Sequence, residues 1–248
     1  MTYCLALRLD EGLVFLADTR TNAGVDNIST FRKLHTLRPA DDRIFVIESA
    51  GNLATTQEVL DRIDRDLADP GAVSLATVSR MFEAALYLGR VSQEVAASHQ
   101  VPLANVGADG TATFILGGQI RGERADIVLV YPEGNYIRAS DERPFLQIGE
   151  TKYGKFMLDL AVRAHVDLAT ASKIALGSMM STARANLSVG PPYDGAIYRN
   201  GSLELLEFRV EESSPLLGRL RDLWEERLVG IIDELPDVTV DDVTFVRE

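Results

Sequence analysis

The order of strand-like and helical segments constrains the fold of this chain more than any other sequence feature. Short apolar runs bounded by turn residues, which are typical of strands, occur near the N-terminus, in the middle and towards the C-terminus. Two pairs of helical segments separate them, and this order favours an α+β fold in which two antiparallel sheets stack with helix pairs outside. The strand-like runs are 5–9, 13–17, 34–37, 44–47, 111–116, 127–131, 194–198 and 203–210.

Hydrophobic periodicity predicts four internal helices, each with one apolar face that we expect to be buried. An Asp-Pro-Gly sequence at 69–71 ends the first helix, and Ser74 is a candidate cap for the second. The four faces consist of Val59, Leu60, Ile63 and Leu67; Val78, Met81, Phe82, Ala85, Ser92 and Val95; Tyr153, Phe156, Met157 and Leu160; and Ala171, Ile174, Ala175, Ser178, Met179 and Thr182.

Composition indicates a globular protein and narrows the choice of partners. Of the 248 residues, 46% are apolar and 25% are charged, which is ordinary for a domain with a large core. A net charge of −12 argues against nucleic acid or an anionic membrane as a partner. No apolar run reaches the ~18 residues of a membrane span, and no secretory signal is recognisable. Because Cys4 is the only cysteine, which fits a reducing compartment, we expect a cytoplasmic protein.

The sequence offers no motif for a cofactor. The three histidines, His35, His99 and His165, are scattered, and no spacing of Cys, His and carboxylate residues suggests a zinc site. The glycines, including the pair at 117–118, show no phosphate-binding pattern. We therefore expect neither a metal nor a nucleotide cofactor, and any dependence on ATP would reside in another protein.

The N-terminus carries the strongest chemical signal. A small second residue is the usual condition for removal of the initiator methionine, and here that residue is Thr2. Removal of Met1 would leave a threonine that holds a hydroxyl nucleophile and, in its own α-amine, a base. A strand-like run follows at once. The next run ends in Asp18, and Lys33 follows on the segment after it, so both charges that this chemistry needs are present.

This arrangement resembles the N-terminal half of a proteasome β-type subunit. The residues that match the pattern are Thr2, Gly12, Val14, Ala17, Asp18, Arg20 and Lys33. Further segments resemble the family at 47–51, 145–149 and 194–200, so that the resemblance covers roughly residues 2–205. The amino-acid sequence of residues 17–23 and 188–192 is most similar to that of the Anbu branch, the bacterial ancestral β-subunit family.

The resemblance implies the four-layer αββα fold of N-terminal nucleophile hydrolases for residues 1–212. Residues 213–248 are expected to form a C-terminal helical extension packed on or between subunits. An exposed apolar seam on a helix over 213–232 would be too large a patch for a soluble monomer. We therefore expect a homo-oligomer, in the form of a ring or a spiral, unless the helix folds back on its own domain. The heptad-like seam consists of Leu217, Leu220, Trp224, Leu228 and Ile231.

The residues of the expected site take their roles from this resemblance and from their chemistry. Thr2 Oγ would attack a peptide carbonyl while the Thr2 α-amine, with an intrinsic pKa of about 7.7–8.0, accepts the proton. Lys33 would disfavour protonation of that amine, and Asp18 would hold Lys33 in place. The backbone N–H of Gly51 would stabilise the oxyanion. Away from Thr2, such an Asp–Lys pair is more often structural, and Gly51 is equally typical of a plain turn.

Two departures from the family pattern concern the surroundings of this site. Where many relatives have a serine between two glycines, Glu150 stands here and changes the local charge near the amine. The segment 186–190 also spaces its polar residues differently from the aspartate, serine and glycine of relatives. Arg20, in an organising role, and Ser188 are the candidates for support of the site, and Asp194 is a weaker one.

The favoured function is that of a proteasome-like, self-compartmentalising threonine peptidase, active once Met1 has been removed. Its substrates would be peptides or unfolded proteins, and an unidentified regulator is a further possible partner. Two alternatives stay open. The first is an N-terminal nucleophile amidohydrolase that acts on small amides, and the second is a catalytically silent subunit kept for assembly.

Overall fold

The computed structural model describes residues 1–22 and 28–237 of the chain. A first compact unit comprises Met1–Glu212, and a second unit begins at Ser213. The last part of the expected C-terminal extension, residues 238–248, lies outside the described residues. Among the described helices, none is both long and apolar enough to cross a membrane.

Twelve strands in the described ranges form three antiparallel sheets. The first five-stranded sheet contains, in spatial order, β10 (Phe145–Gly149), β1 (Tyr3–Arg8), β2 (Gly12–Asp18), β11 (Tyr193–Arg199) and β12 (Leu205–Val210). The second contains β5 (Leu34–Ala40), β6 (Arg43–Gly51), β7 (Ala112–Ile120), β8 (Asp126–Val130) and β9 (Tyr136–Arg138). A short third sheet pairs β3 (Arg20–Asn22) with β4 (Ile28–Thr30).

The described ranges contain five helices, and together with the sheets they confirm the prediction of an α+β chain. The prediction that Ser74 caps the second helix is wrong, because that helix begins only at Met81 and the Ser74 carbonyl instead accepts the N–H of Thr77 in a turn. The helices are α1 (Leu53–Ala68), α2 (Met81–Asn105), α3 (Lys152–Ala161), α4 (Leu168–Ala185) and, in the second unit, α5 (Pro215–Glu234).

The two five-stranded sheets share one apolar layer. Cys4, Phe15 and Tyr198 enter it from the first sheet, and Val46 and Ile115 enter it from the second. Since successive side chains of a strand point to opposite faces, the other face of β6, β7 and β8 is free to pack elsewhere, and it packs against α1 and α2. Helix α4 contacts β1 and β2 of the first sheet.

The buried face predicted for the third helix is wrong. The structure buries Gly154 and Leu158 of α3 and exposes the larger apolar side chains. An added Cβ on Gly154 would overlap the hydroxyl groups of Tyr3 and Ser178, so only this small side of the helix fits against the sheet. Periodicity identifies residues that share a face, but it does not reveal which face turns inward. The exposed side chains are Tyr153 at 44%, Phe156 at 74% and Leu160 at 63%.

Strand register brings the ends of three strands together on one side of the first sheet. In the β1–β2 hairpin, Cys4 lies opposite Ala17, which places the end of β2 beside the start of β1. On its other side β1 pairs with β10, where Tyr3 lies opposite Gly149. The first residue of the N-terminal strand is therefore flanked by the last residues of β2 and β10, so any site at the N-terminus is built from strand ends.

One carboxyl group is buried in the apolar layer between the sheets. Glu48 of β6 is fully buried, and neither of its carboxyl oxygens has a hydrogen-bond partner in the described structure. Burial raises the pKa of Glu48 well above its ordinary value of 4.5, because the charged form would lose its hydration. Burial also raises the pKa of Cys4, and the neighbouring Glu48 adds to that shift. The core therefore favours a neutral Glu48.

We expect Glu48→Gln to change the pH dependence of stability. The contribution of a group with a raised folded-state pKa is complete below about pH 4.5, and it is lost as the pH rises towards that folded-state pKa. Glutamine does not ionise, so the free energy of unfolding of the variant relative to wild type should increase with pH by up to about 1.4 kcal/mol per unit. Urea denaturation at several pH values and one protein concentration measures this difference. A difference that stays constant with pH would contradict the expectation.

Candidate active site

Thr2 lies at the start of β1, and neighbouring backbone and side-chain groups hold it on both sides. Its carbonyl oxygen accepts a hydrogen bond of 2.7 Å from the N–H of Glu150, just after β10. The N–H of the following residue, Tyr3, donates to Asp18 Oδ1 at 2.9 Å. The Thr2 residue is half-buried, whereas Met1 is 62% exposed. The peptide bond that joins Met1 to Thr2 is therefore at the surface of the site.

Asp18 and Lys33 form a buried ion pair beside this peptide bond. Lys33 Nζ lies 2.7 Å from Asp18 Oδ1, and the two side chains are 6% and 0% exposed. The same ammonium donates to the carbonyl oxygen of Arg20 at 2.6 Å and to that of Met1 at 3.4 Å. Because the Met1 carbonyl is bonded to the nitrogen of Thr2, Lys33 lies next to the atom that would become the free α-amine.

The charge of Asp18 depends on the groups around it. Complete burial raises the pKa of Asp18 above its ordinary value of 3.8, and the charge and hydrogen bond of Lys33 act in the opposite direction. The N–H groups of Tyr3 and Gly190, the latter 3.4 Å from Oδ2, also favour the ionised form. Removal of either member of such a pair leaves an uncompensated buried charge, which typically costs about 3–5 kcal/mol.

Gly51 occupies the expected turn between a strand and a helix. It ends β6 with a φ of 114°, in the left-handed region that favours glycine. An added Cβ would also lie 2.5 Å from the carbonyl oxygen of Thr111. Asn52 follows and caps α1, because its side chain accepts the N–H of Thr55 at 3.1 Å. The backbone of Gly51 is exposed and lines a cavity, so it is accessible to a bound substrate.

The loop of residues 186–190 connects the two sides of the site. Arg20 Nη1 donates to the carbonyl of Leu187 at 3.0 Å, and on the other side Asn186 Nδ2 donates to Glu150 Oε2 at 3.0 Å. Ser188 contributes its backbone N–H, which donates to Asn186 Oδ1 at 3.0 Å. Arg20 thus contacts this loop, and its organising role stays a prediction.

Some site contacts have no signal in the sequence. The hydrogen bond from Gly190 to Asp18 and the bond from Asn186 to Glu150 both depend on the conformation of one loop. Asp194, the weaker candidate, instead forms a bidentate ion pair with Arg209, with distances of 2.6 and 2.9 Å. This pair joins β11 to β12 and gives Asp194 a structural role.

The assembled groups are a threonine, a buried ion pair and a terminal peptide bond whose loss would leave Thr2 with a free amine. The structure brings Thr2, Asp18 and Lys33 into contact through the backbone of Met1 and Tyr3. The described residues contain no cluster of His, Cys and carboxylate side chains that could hold a metal ion. The chemistry available from this chain's own residues is nucleophilic attack, proton transfer through an amine, and electrostatic stabilisation by a buried cation.

Comparison with known proteins identifies relatives among solved structures. No protein-family model and no curated protein matches the chain. The structure of Anbu (ancestral beta-subunit) from Yersinia bercovieri is 43% identical, with a TM-score of 0.89, and the match covers 96% of this chain and 100% of that one. The Anbu Gly-1 mutant from Hyphomicrobium sp. strain MC1 is 41% identical, with a TM-score of 0.89 and coverage of 97% and 100%.

A third related structure is the helical assembly of the Anbu complex from Pseudomonas aeruginosa. It is 39% identical to this chain, with a TM-score of 0.92, and the match covers 97% of this chain and 99% of that one. In all three comparisons the identity is 39% or more and the match covers nearly the whole length of each protein. The chain therefore belongs to the Anbu, or ancestral beta-subunit, family.

Proposed function

We propose that this protein is a threonine peptidase whose nucleophile is the hydroxyl of Thr2 after removal of Met1. The observation that carries the proposal is the buried ion pair of Lys33 and Asp18 at the Met1–Thr2 peptide bond. A buried ion pair offers little net stability over a well-packed apolar pair, so structure alone gives a weak reason for it. Activation of a nucleophile gives a stronger one, since perturbed ionisable groups cluster at functional sites.

We also infer that the fold is the four-layer αββα arrangement of N-terminal nucleophile hydrolases. The apolar layer shared by the two five-stranded sheets supports the inner two layers. The packing of α1 and α2 against the second sheet, and the contacts of α4 with β1 and β2, support the outer two.

The mechanism follows from the positions of these groups. Thr2 Oγ attacks the carbonyl carbon of the substrate while the Thr2 α-amine accepts the hydroxyl proton. The oxyanion of the tetrahedral intermediate is stabilised by the backbone N–H of Gly51 and by the charge of Lys33. As the intermediate collapses, the amine gives its proton to the leaving nitrogen and an ester forms on Thr2. Water, activated by the same amine, then hydrolyses this ester and restores the hydroxyl.

Lys33 and Asp18 set the state of the amine in this scheme. A positive charge beside the α-amine disfavours its protonation, so the amine stays available as a base near neutral pH. Asp18 holds the ammonium of Lys33 in place and also binds the N–H of Tyr3, the residue after the nucleophile. The two side chains therefore act as one unit.

We expect Thr2→Ala to abolish hydrolysis, with a loss in kcat of about 10³-fold or more, because this replacement removes the proposed nucleophile. Thr2→Ser keeps a hydroxyl and an amine and should retain measurable activity. Turnover of an unfolded protein and of short amides, after intact-mass confirmation that Met1 is absent, provides the measurement. Thr36→Ala, a half-buried threonine on β5, is the matched control and should behave as wild type.

Each outcome of this comparison separates the possible functions. Equal turnover by wild type and Thr2→Ala would rule out the proposed nucleophile. Thr2-dependent hydrolysis of short amides without cleavage of proteins would point to a small-molecule amidohydrolase. No hydrolysis of any substrate by a protein that has lost Met1 would point to a silent assembly subunit.

We expect the replacements Asp18→Asn and Lys33→Ala to be strongly non-additive. Each replacement should lower kcat/KM by roughly 10²–10⁴-fold, and the kcat/KM of the double variant should be only slightly below that of the less active single variant. A double-mutant cycle on kcat/KM measures this coupling, with thermal unfolding as a check on the fold. The matched control is the ion pair of Asp194 and Arg209, whose replacement should leave kcat/KM unchanged. Additive losses at Asp18 and Lys33 would show that they act separately.

We further propose that the chain assembles with copies of itself, which would hide an undiscriminating peptidase site from folded proteins. A relative that is 39% identical forms a helical assembly, which supports this proposal. The predicted helix over 213–232 corresponds to α5, and several of its large apolar side chains are exposed. This amount of exposed apolar surface on one helix favours contact with another protein surface. These side chains are Leu216, Leu223, Leu228, Val229, Ile231 and Ile232.

We expect wild type to be a large assembly and a chain that ends at Glu212 to be much smaller. Trp224→Ala should weaken each contact by about 2 kcal/mol or more, because aromatic side chains commonly anchor interfaces. Light scattering coupled to size exclusion gives the masses, and Leu206→Ala, an exposed leucine on β12, is the control. A wild-type monomer of 27.2 kDa at micromolar concentration contradicts assembly. A truncated chain that stays large contradicts the role of α5.

A further inference from the structure

A cavity of about 560 Å³ opens at one end of the layer between the two five-stranded sheets. Its inner wall is the core itself, because Ala50, Leu129 and Ile148 line the cavity and belong to the apolar cluster that fills this layer. The volume lies in the range of about 300–1,000 Å³ that is typical of ligand pockets. The cavity is therefore large enough to receive a side chain of any size.

This cavity adjoins the nucleophile. Gly51 and Gly149 line it, with φ angles of 114° and 83°, so the backbone forms these parts of the wall. An added Cβ on Gly149 would overlap the carbonyl oxygen of Thr2 and lie 3.3 Å from its Cβ. The Cβ of Thr2 carries the hydroxyl. Gly149 therefore separates the cavity from Thr2, and a group bound in the cavity lies one residue away from the proposed nucleophile.

The chemistry of the cavity wall selects against acidic groups. Among the described residues no Lys or Arg lines the cavity, and its lining includes the uncharged polar residues Asn52, Thr113 and Thr151. Asp109 is the one charged residue among the described residues that line the cavity, and its carboxylate accepts the N–H and hydroxyl of Thr111, at 2.8 and 2.9 Å. An acidic group that entered would lose its hydration, gain no positive partner and meet a like charge.

We propose that this cavity is a substrate subsite that receives an uncharged, apolar side chain next to the bond cleaved by Thr2. The inference rests on the proposed function and adds a substrate class to it: peptides with a residue such as Leu, Met or Phe on one fixed side of the scissile bond. The apolar inner wall provides affinity through burial of apolar area.

Other cavities in the first unit lack these properties. One of about 430 Å³ is lined by Arg32, Asp194, Glu207 and Arg209, which pair with one another. Another of about 400 Å³ contains Thr36 and Arg38. Neither includes Gly51 or a residue beside Thr2. They therefore provide internal controls for substitutions that fill a cavity.

The test is digestion of a mixed peptide library, with each cleaved bond identified by mass spectrometry. In wild type, large apolar residues should be favoured over Asp and Glu at one fixed position by at least about tenfold. Thr113→Phe places a ring in the cavity, because Thr113 pairs with Ala50 and shares the inter-sheet face of Ile115. It should lower kcat/KM for large apolar residues at least about tenfold relative to that for alanine.

Control variants separate this effect from damage to the fold. Thr36→Phe makes the same chemical change in the cavity of about 400 Å³ and should keep the wild-type preference. Tyr131→Ala enlarges the proposed subsite from its rim and should shift the preference towards larger residues such as Trp. This second variant keeps the proposal falsifiable even if Thr113→Phe folds poorly.

The outcomes distinguish the subsite from the catalytic proposal. Capture of Thr2 by a small electrophile without a side group, followed by intact mass, should be equal in wild type and Tyr131→Ala. If wild type, Thr113→Phe and Tyr131→Ala all show Thr2-dependent cleavage with the same residue preference, the subsite proposal is wrong and the catalytic proposal stands. Cleavage by wild type that accepts Asp or Glu at the fixed position likewise contradicts only the subsite proposal. Absence of Thr2-dependent cleavage overturns the catalytic proposal and, with it, the subsite.

Discussion

An ionised aspartate without access to water is unstable unless positive charge and N–H donors surround it, and Asp18 obtains these from three segments. Lys33 supplies the charge just before β5, Tyr3 supplies an N–H from β1, and Gly190 supplies another from the loop after α4. Each segment is therefore tied to the same carboxylate. The proposed nucleophile, one residue before Tyr3, derives its position from this arrangement.

Strand register explains why these groups meet at the N-terminus. Asp18 is the last residue of β2 and lies opposite Tyr193 of β11, while β1 begins beside it. Gly149, the last residue of β10, closes the other side. The central strands β1 and β2 have no such freedom, because all their side chains are buried and each strand pairs with a neighbour on both sides. A site at strand ends can keep a terminal amine accessible on a rigid support.

The sequence predicts the parts of this structure that leave a local or periodic signal. Asp18 and Lys33 were expected near Thr2 because their order and spacing resemble those of a proteasome β-type subunit. The structure brings the two side chains together, although their catalytic roles stay predictions. The strands β3, β4 and β9 were missed, since each has only three residues and no apolar alternation. The inward face of α3 and the burial of Glu48 could not be predicted, because both depend on contacts between distant segments.

The glycine rim of the cavity limits how substrate choice can diverge in proteins of this architecture. A side chain at Gly51 would meet the backbone of Thr111, and one at Gly149 would meet the backbone of Thr2. Both glycines also have φ angles in the left-handed region. A side chain at Gly149 would therefore displace the proposed nucleophile, and one at Gly51 would displace the start of β7. Variation is open at Thr113 and Tyr131, which face the same space from neighbouring strands and bear on nothing catalytic. Selectivity and reactivity thus depend on different residues. Thr113 and Tyr131 can be replaced while the residues around Thr2 stay the same.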